Sequence, residues 1–261
     1  MTILDVFSPN KVLDRGALRI LIATQVVLFI GVWLFSSSVF LPKPMEVLSA
    51  FLFLWNNEGL GSELVTSFLL NLQAIGIATL LSLALAYASV IPFCRPIIAL
   101  VGKLRFLSLA GLTFFFTMMA SSGHELKLYL LVFSISVFFV TGMADVVAAA
   151  PKEKFDLART LGMSEWRAVF EVIVLGEGDK AFDVMRQNAA MGFMFLTMVE
   201  GISRSGGGIG ALLLDQNKHF HLSAVFAIQL CILIVGIGQD YAIGLFRRVV
   251  CPYADLALER K

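Results

Sequence analysis

The sequence predicts an all-α integral membrane protein with six transmembrane helices. Its 261 residues are 58% hydrophobic and 15% charged, and 23 of them are Phe, which is far more apolar than an ordinary soluble domain. A helix needs about 20 apolar residues to cross the roughly 30 Å of bilayer hydrocarbon. Six stretches are candidates for such helices: 20–42, 64–94, 106–123, 128–144, 184–203 and 222–239.

Five of these stretches contain no charged residue, and the stretch at 184–203 is the weaker one. Arg186 and Glu200 bracket only thirteen uncharged residues there. The first stretch is too long for the apolar core of a signal peptide and lacks a small-residue cleavage site, so we expect it to be retained. Three widely separated cysteines provide neither a disulfide framework nor a metal site.

The basic residues are distributed between the loops in a way that predicts the orientation of the helices. The N-terminal tail, the 92–105 turn, the 145–186 loop and the C-terminal tail hold sixteen of the 20 Lys and Arg residues. The alternate loops hold only Lys43, Lys127, Arg204 and Lys218. Basic residues accumulate on the cytoplasmic side of a membrane, so both termini are expected there. The predicted divisions are a tail 1–16, a transmembrane domain 17–250 and a tail 251–261.

The longest predicted cytoplasmic loop contains a charged stretch, 156–175, with the spacing of two short helices. One apolar stripe recurs at helical intervals and consists of Trp166, Val169, Phe170 and Ile173. Ser164 is a candidate N-cap for this helix, with Glu165 in its first turn. A shorter stripe, Phe155, Ala158 and Leu161, ends at Gly162. The pattern predicts two helices hinged at a glycine, and it also fits an amphipathic helix lying at the lipid surface.

The same stretch resembles the cytoplasmic EAA loop of ABC importer permeases. That loop has Glu-Ala-Ala, three residues, Gly, and later a hydrophobic residue and Leu-Pro. Here Asp156-Leu157-Ala158 is followed by three residues and Gly162, and a hydrophobic run follows Trp166. Asp replaces Glu, Leu replaces the first Ala, and Val-Leu-Gly at 174–176 stands where the family has Leu-Pro.

Other segments resemble the nitrate/sulfonate/taurine group of these permeases. They are LPKPMEVLSAF at 41–51, Arg186 and Glu200 at the two ends of the fifth predicted span, the glycine-rich SGGGIG at 205–210, and a basic C-terminal tail. We expect SGGGIG to be a flexible turn before a short re-entrant or interfacial helix. The resemblance covers roughly residues 17–250.

The resemblance implies a fold similar to that of type I ABC importers, with a coupling loop at 151–176. It implies that two permease subunits, a homodimer or a close heterodimer, enclose a path in the bacterial inner membrane. It further implies two cytoplasmic ATP-binding subunits and an extracytoplasmic substrate-binding protein, with lipid around the helices. The residues expected to meet the ATPase are Asp156, Ala158, Gly162, Ser164, Glu165 and Trp166.

We expect the chain to be a permease and not an enzyme, without a catalytic residue, metal or cofactor of its own. It has no G-x-x-x-x-G-K-[ST] motif, because Gly102-Lys103 is followed by Leu104 and has no glycine five residues earlier. ATP and Mg would therefore be bound by the partner ATPase. A net charge of +1 also provides no concentrated basic face for nucleic acid.

Several polar residues fall in or near the predicted spans, where polar groups need partners. The candidates for a substrate path are Asn71, Gln73, Gln187, Asn188 and Glu200. The alternative for each is an interhelical hydrogen bond, or for Glu200 a bond to the following loop or a contact with the binding protein. We expect Arg186 to extend to the cytoplasmic headgroups and Asp240 to lie beside Arg247 and Arg248.

Two other function classes stay open at this stage. An ATP-independent transporter or channel would predict inverted repeats with broken helices in matching positions. An integral membrane enzyme would predict clustered Asp, His or Ser near one interface. The sequence does not select a solute, and the resemblance suggests nitrate, sulfonates, bicarbonate or a small organic compound.

Overall fold

The computed structural model describes residues 14–35, 41–204 and 206–252, and these residues form helices without a strand. The predicted tails 1–16 and 251–261 lie almost wholly outside the described residues, as does Ser205. The helices are α1 (Arg15–Phe35), α2 (Pro44–Asn57), α3 (Leu60–Ala88), α4 (Arg95–Lys103), α5 (Leu109–Met119), α6 (Gly123–Ala148), α7 (Lys152–Thr160), α8 (Glu165–Val169), α9 (Gly178–Ile202), α10 (Ile209–Lys218) and α11 (Leu222–Val250).

Four described helices are long and apolar enough to cross a membrane: α1, α3, α6 and α11. The bent pair formed by α4 and α5 counts as a fifth span if it is taken as one unit. Helix α9 has 25 residues, about 37 Å at 1.5 Å per residue, but it carries five charged side chains and is too polar to qualify by composition. The all-α membrane fold is therefore confirmed, and six is an approximate count of its spans.

The third predicted span, 106–123, is not a straight transmembrane helix. Helix α5 has only 11 residues, about 16 Å, and it is bent by 111° from the preceding helical segment. Leu107 and Ser108 have extended backbones between the two helices. A lack of charge in the sequence does not show such a break, because an apolar run can change direction wherever two residues leave the helical conformation.

The main core lies where α3, α6 and α9 meet. One face of α3 carries Leu70, Ala74 and Ala78 at intervals of four residues, and all three are buried. They pack with Leu130 of α6, Leu196 of α9 and their neighbours. The alanines let these helices approach closely, as small residues do in membrane helix packing. This three-helix core holds the buried polar residues described below.

A second cluster joins α2, α10 and α11 and contains Leu54, Ile209 and Ile228. Helix α1 reaches the rest of the chain mainly through Trp33, which packs against this cluster and donates from Nε1 to the carbonyl oxygen of Pro42 at 2.9 Å. No residue in the apolar window of α1 is buried inside the chain. Its apolar surface therefore faces lipid or another chain.

The two ends of the bundle differ in what they carry. At one end, which we call the basic end, α3, α6 and α11 finish, α9 begins, and α4, α7 and α8 lie between them. At the opposite end lie the 203–208 loop, α10, and the start of α3. A short helix does follow the glycine-rich run, as the sequence predicts.

Candidate functional site

At the basic end, α7 ends in a glycine turn that fixes the direction of the chain. Gly162 has a left-handed backbone with φ of 74°. Its amide donates to the carbonyl of Arg159, and the amide of Met163 donates to the carbonyl of Ala158 at 3.1 Å. These two bonds form a Schellman motif, the usual ending for a helix with glycine beyond its last residue. The predicted hinge is thus a defined turn.

Helix α8 begins directly after this turn. Ser164 has the extended backbone of an N-cap residue, and its carbonyl accepts from Ala168 at 2.8 Å, but its side chain makes no capping bond. The predicted cap is therefore a backbone cap only. After α8 the chain continues as a π-helix, Phe170–Leu175, so residues 152–175 form one helical unit, which we call the α7–α8 unit.

Small residues allow the two helices of this unit to pack together. Ala158 of α7 and Ala168 of α8 are buried in one small apolar cluster, which also contains Val172, Phe155 and Met163. Ala158, one of the six residues expected to meet an ATPase, therefore lies inside the unit. The other five, Asp156, Gly162, Ser164, Glu165 and Trp166, are exposed.

Large apolar side chains lie exposed on the outside of the unit, and we call them together its apolar face. Trp166 is 71% exposed, and Leu157, Leu161 and Phe170 are each more than half exposed. The residues of the predicted stripe differ in burial, because Trp166 and Phe170 are exposed whereas Ile173 is buried. The π-helix explains the difference, since its wider turn moves the later residues off the face that a regular helix would give them.

An ion network borders this apolar face. Arg159 donates from Nε to Glu165 at 2.8 Å and from Nη1 to Asp156 at 3.1 Å. The hydrogen bond from Arg159, together with its charge, lowers the pKa of Glu165. All three side chains are exposed, so the network orients charges around the apolar face and adds little to stability.

A buried carboxylate connects the unit to α9. Glu177 has a side chain only 2% exposed and lies between Gly176 and the start of α9. It accepts from Lys154 of α7 at 2.9 Å and also pairs with Lys180 of α9. Burial opposes its ionisation, but the hydrogen bonds from Lys180 and Lys154 outweigh this and lower the pKa of Glu177.

The sequence analysis missed Glu177. Its local signal is a carboxylate between two glycines with Lys180 three residues later. The glycine before it is also constrained, since a Cβ at Gly176 would lie 2.5 Å from the carbonyl oxygen of Val172. The junction between the α7–α8 unit and α9 is therefore tightly built.

Within the bundle, the five polar candidates separate into buried and exposed groups. Asn71 and Asn188 are buried in the core, whereas Gln73 and Gln187 are exposed on the outer faces of α3 and α9. Asn71 donates to Gln239 of α11 at 3.2 Å, an interhelical bond. A Cβ at Gly192 would lie 2.7 Å from Asn71 Oδ1, so a glycine allows this close approach.

Glu200 lies in a polar network at the opposite end of the bundle. It accepts from Ser67 Oγ at 2.7 Å and from the amide of Gly210 at 2.8 Å. The amide of Ile209 donates to Ser67 Oγ at 2.8 Å. These bonds satisfy free amides of the first turn of α10, where a carboxylate also meets the helix dipole favourably.

The glycine-rich run is folded around a second carboxylate in this network. The amide of Gly208 donates to Glu63, and Lys127 Nζ donates to the carbonyl oxygen of Gly207 at 2.6 Å. Gly207 and Gly208 both have positive φ, and a Cβ on Gly207 would lie 2.6 Å from Glu63 Oε2. Glu200 thus bonds the segment that follows it, one of the roles predicted for it.

Ion pairs join α9 to α11 nearer the basic end. Arg186 makes a two-pronged bond to Asp240, at 2.9 and 2.5 Å, and Arg247 donates to Asp183 at 2.6 Å. Arg186 therefore has a carboxylate partner on α11 that the expected extension to headgroups did not include. The expected position of Asp240 beside Arg247 and Arg248 stays a prediction. Opposite charges at similar depth in neighbouring spans are the signal that would have indicated this pair.

Comparison with known proteins supports the fold. The sequence matches no family model, and no curated protein matches it. Among solved structures, it is similar to the crystal structure of an amino acid ABC transporter with histidines, with a TM-score of 0.60 and 18% sequence identity. The alignment covers 76% of this chain and 97% of that chain. At this identity the similarity shows the fold alone, which is like that of a chain of this ABC transporter.

Proposed function

We propose that this chain is the permease subunit of an ATP-driven importer of the ABC type, with its α7–α8 unit docked on a cytoplasmic ATPase subunit. The observation that carries the proposal is the exposed apolar face formed by Leu157, Leu161, Trp166 and Phe170. The fold similarity supports the same assignment.

The composition of this face favours a protein partner over a lipid surface. Large apolar side chains at its centre are bordered by the paired charges of Asp156, Arg159 and Glu165. An apolar centre with a polar rim is typical of protein–protein interfaces, and a large exposed apolar patch calls for a partner. Trp is also among the residues that contribute most to binding energy.

The junction at Glu177 provides a route for coupling. Because Glu177 bonds both Lys154 of α7 and Lys180 of α9, a displacement of the α7–α8 unit is transmitted to the first turn of α9. Helix α9 in turn is joined to α11 by Arg186 and Asp240. Closure of ATPase subunits on ATP would thereby shift α9, which carries Gln187 and Asn188.

We place the translocation path between two copies of the chain, or between this chain and a close relative. The exposed faces of α3 and α9 carry Gln73, Gln187, Met191, Met194 and Met198. Amide and thioether groups suit a small polar organic or anionic solute, delivered at the opposite end by a substrate-binding protein. The resemblance of the 41–51 segment supports assignment of the chain to the nitrate/sulfonate/taurine group of permeases. The proposed location is a bacterial inner membrane, with both termini in the cytoplasm.

The docking face is tested by replacing Trp166 with Glu, which places a carboxylate at the centre of the apolar patch. We expect at least a tenfold loss of affinity for the ATPase subunits, about 1.4 kcal/mol or more, and loss of stimulated ATP hydrolysis. Phe220→Glu is the control, because Phe220 is 84% exposed at the opposite end. The ATPase is first identified by cross-linking from residue 166 of the chain. Its binding to the purified chain is then measured.

Two outcomes would contradict the proposal. One is a Trp166→Glu variant that binds and stimulates the ATPase as well as the wild-type chain. The other is solute transport by the purified chain in vesicles that contain no ATPase, which would support an ATP-independent transporter or channel.

A further inference from the structure

A cavity of about 790 Å³ lies at the basic end, between α4, α6 and the α7–α8 unit. Its lining includes four basic side chains and one acidic side chain: Arg95, Lys103, Arg105, Lys152 and Asp145. Gly102 lets α4 approach α6 here, since a Cβ would lie 3.2 Å from Thr141 Oγ1. The cavity is therefore built by close helix packing and carries an excess of positive charge.

Most of this charge has no carboxylate partner among the described residues, and Arg105 lies over the ring of Phe106, 5.3 Å from its centroid. Lys103, Arg105 and Lys152 have no carboxylate within 4.0 Å among the described residues, and Arg95 uses one donor on the carbonyl of Ser89 at 3.2 Å. Cations gathered in a partly enclosed space repel one another, so an anion that enters the cavity relieves this repulsion. A ligand with a phosphate group fits this charge.

The other face of α4 is apolar and exposed. Ile97 and Leu100 lie three residues apart on this face, and exposed Phe93 and Phe106 lie just before and just after the helix. Arg95, Ile98 and Lys103, by contrast, line the cavity. Since α4 is bent sharply from α5, it has the form of an amphipathic helix at a membrane surface, with a basic side and an apolar side.

We propose that this cavity binds the headgroup of an anionic phospholipid, with its acyl chains lying along Ile97, Leu100 and Phe106. The charge in the cavity selects the phosphate, and the apolar rim distinguishes a lipid from a free anion. Basic pockets between membrane helices bind anionic headgroups for this reason. The proposal does not depend on the proposed transport function.

The position of the cavity links the bound lipid to the α7–α8 unit. Lys152 and Phe155 of α7 and Ile173 of the π-helix line the same space. A headgroup there would contact the unit directly and hold it against α6. Anionic lipid would therefore stabilise one position of the α7–α8 unit.

The test uses the full-length chain in detergent with phosphatidylglycerol and phosphatidylcholine, and native mass spectrometry counts the lipids that remain bound. We expect the wild-type chain to retain phosphatidylglycerol preferentially. The double variant Lys103→Glu/Arg105→Glu should bind phosphatidylglycerol with an affinity at least about tenfold lower than that of the wild-type chain. The reason is that each basic group near a lipid surface contributes about 1 kcal/mol. The neutral variant Lys103→Gln/Arg105→Gln should lose less, and it keeps the test valid if charge reversal prevents folding.

The matched control is Lys218→Glu/Arg248→Glu, which makes the same change in net charge at exposed positions outside the cavity. It should retain phosphatidylglycerol as the wild-type chain does. Equal lipid retention by the Lys103/Arg105 variants, or an equal loss in the control, would overturn the proposal. So would displacement of the lipid by millimolar inorganic phosphate, which would indicate a site for a free anion.

Discussion

Gly162 is one of the residues that carry the resemblance to importer permeases, and its backbone geometry explains why a glycine stands there. Its φ of 74° is costly for residues with a Cβ, but a Cβ there would meet nothing within 4 Å. The glycine is therefore required by its conformation and not by space. Asn71 is different, because the sequence shows that it is polar and central but not that it bonds Gln239, which is 168 residues away.

Replacing Gly162 with Ala should lower stability by about 1 kcal/mol, the usual cost of the left-handed conformation for a residue with a side chain. Gly238 of α11 is the matched control, because a Cβ there also meets nothing within 4 Å and its φ is not positive. Gly238→Ala should be neutral or stabilising, by up to about 1 kcal/mol. Thermal unfolding of both variants measures this, and equal destabilisation would show that the turn does not depend on φ.

At the scale of elements, hydropathy predicts long apolar helices well and short or charged ones poorly. The spans at α3, α6 and α11 overlap the predicted ones, because each contains a long run without charge. Helix α9 is weakly indicated because its charges are paired inside the chain, as Arg186 is with Asp240. No distinctive amino-acid composition marks the π-helix at Phe170–Leu175. The helical period of 3.6 residues therefore does not describe the residues in this wider turn.

The junction between α7 and α9 should depend on pH through Glu177. Its folded-state pKa is lowered from 4.5, so its stabilising contribution is fully present above pH 4.5 and is lost as the pH falls through the lowered value. Glu177→Gln should destabilise the chain at pH 7 by about 1 kcal/mol, a discounted value because both lysines are half exposed. The difference in unfolding temperature from the wild-type chain should then shrink below pH 4.5.

Glu153→Gln is the control for this measurement, since Glu153 is an exposed carboxylate on α7 without an ion pair among the described residues. Because Glu153 lies in the first turn of α7, where a carboxylate meets the helix dipole favourably, this change should lower the stability at pH 7 slightly and by less than Glu177→Gln does. A Glu177→Gln variant with the same unfolding temperature as the wild-type chain at pH 7 would show that this junction is not held by the buried carboxylate.

At the scale of the whole molecule, composition was sufficient to predict a helical membrane protein but not how its polar residues are divided. Gln73 and Asn71 lie two residues apart, yet one is exposed and the other buried. The difference arises because one face of α3 packs on α6 and α9 and the other does not. The sequence of α3 does not reveal which face is packed, because its apolar residues lie on all sides of the helix. The packing of the bundle decides which amide can meet a solute.

If the exposed faces of α3 and α9 line an aqueous path between two copies, Gln73→Cys should react with a membrane-impermeant thiol reagent in a background without Cys94, Cys231 and Cys251. Leu28→Cys on α1 is the control, because Leu28 is 62% exposed on a helix whose apolar window is not buried. It should stay unreactive in lipid. Labelling is measured by mass shift, and equal reactivity of the two positions would argue against a path at Gln73.

The loose attachment of α1 has a consequence for biogenesis. Trp33 packs on a cluster that α2 shares with α10 and α11, and the α10 part of that cluster begins at Ile209, roughly 175 residues after Trp33. At bacterial-scale synthesis rates of about 5 to 20 residues per second, this part of the docking site is made about 9 to 35 seconds after Trp33. During that interval α2 and lipid are the surroundings of α1, and its docking is completed only when α10 and α11 arrive.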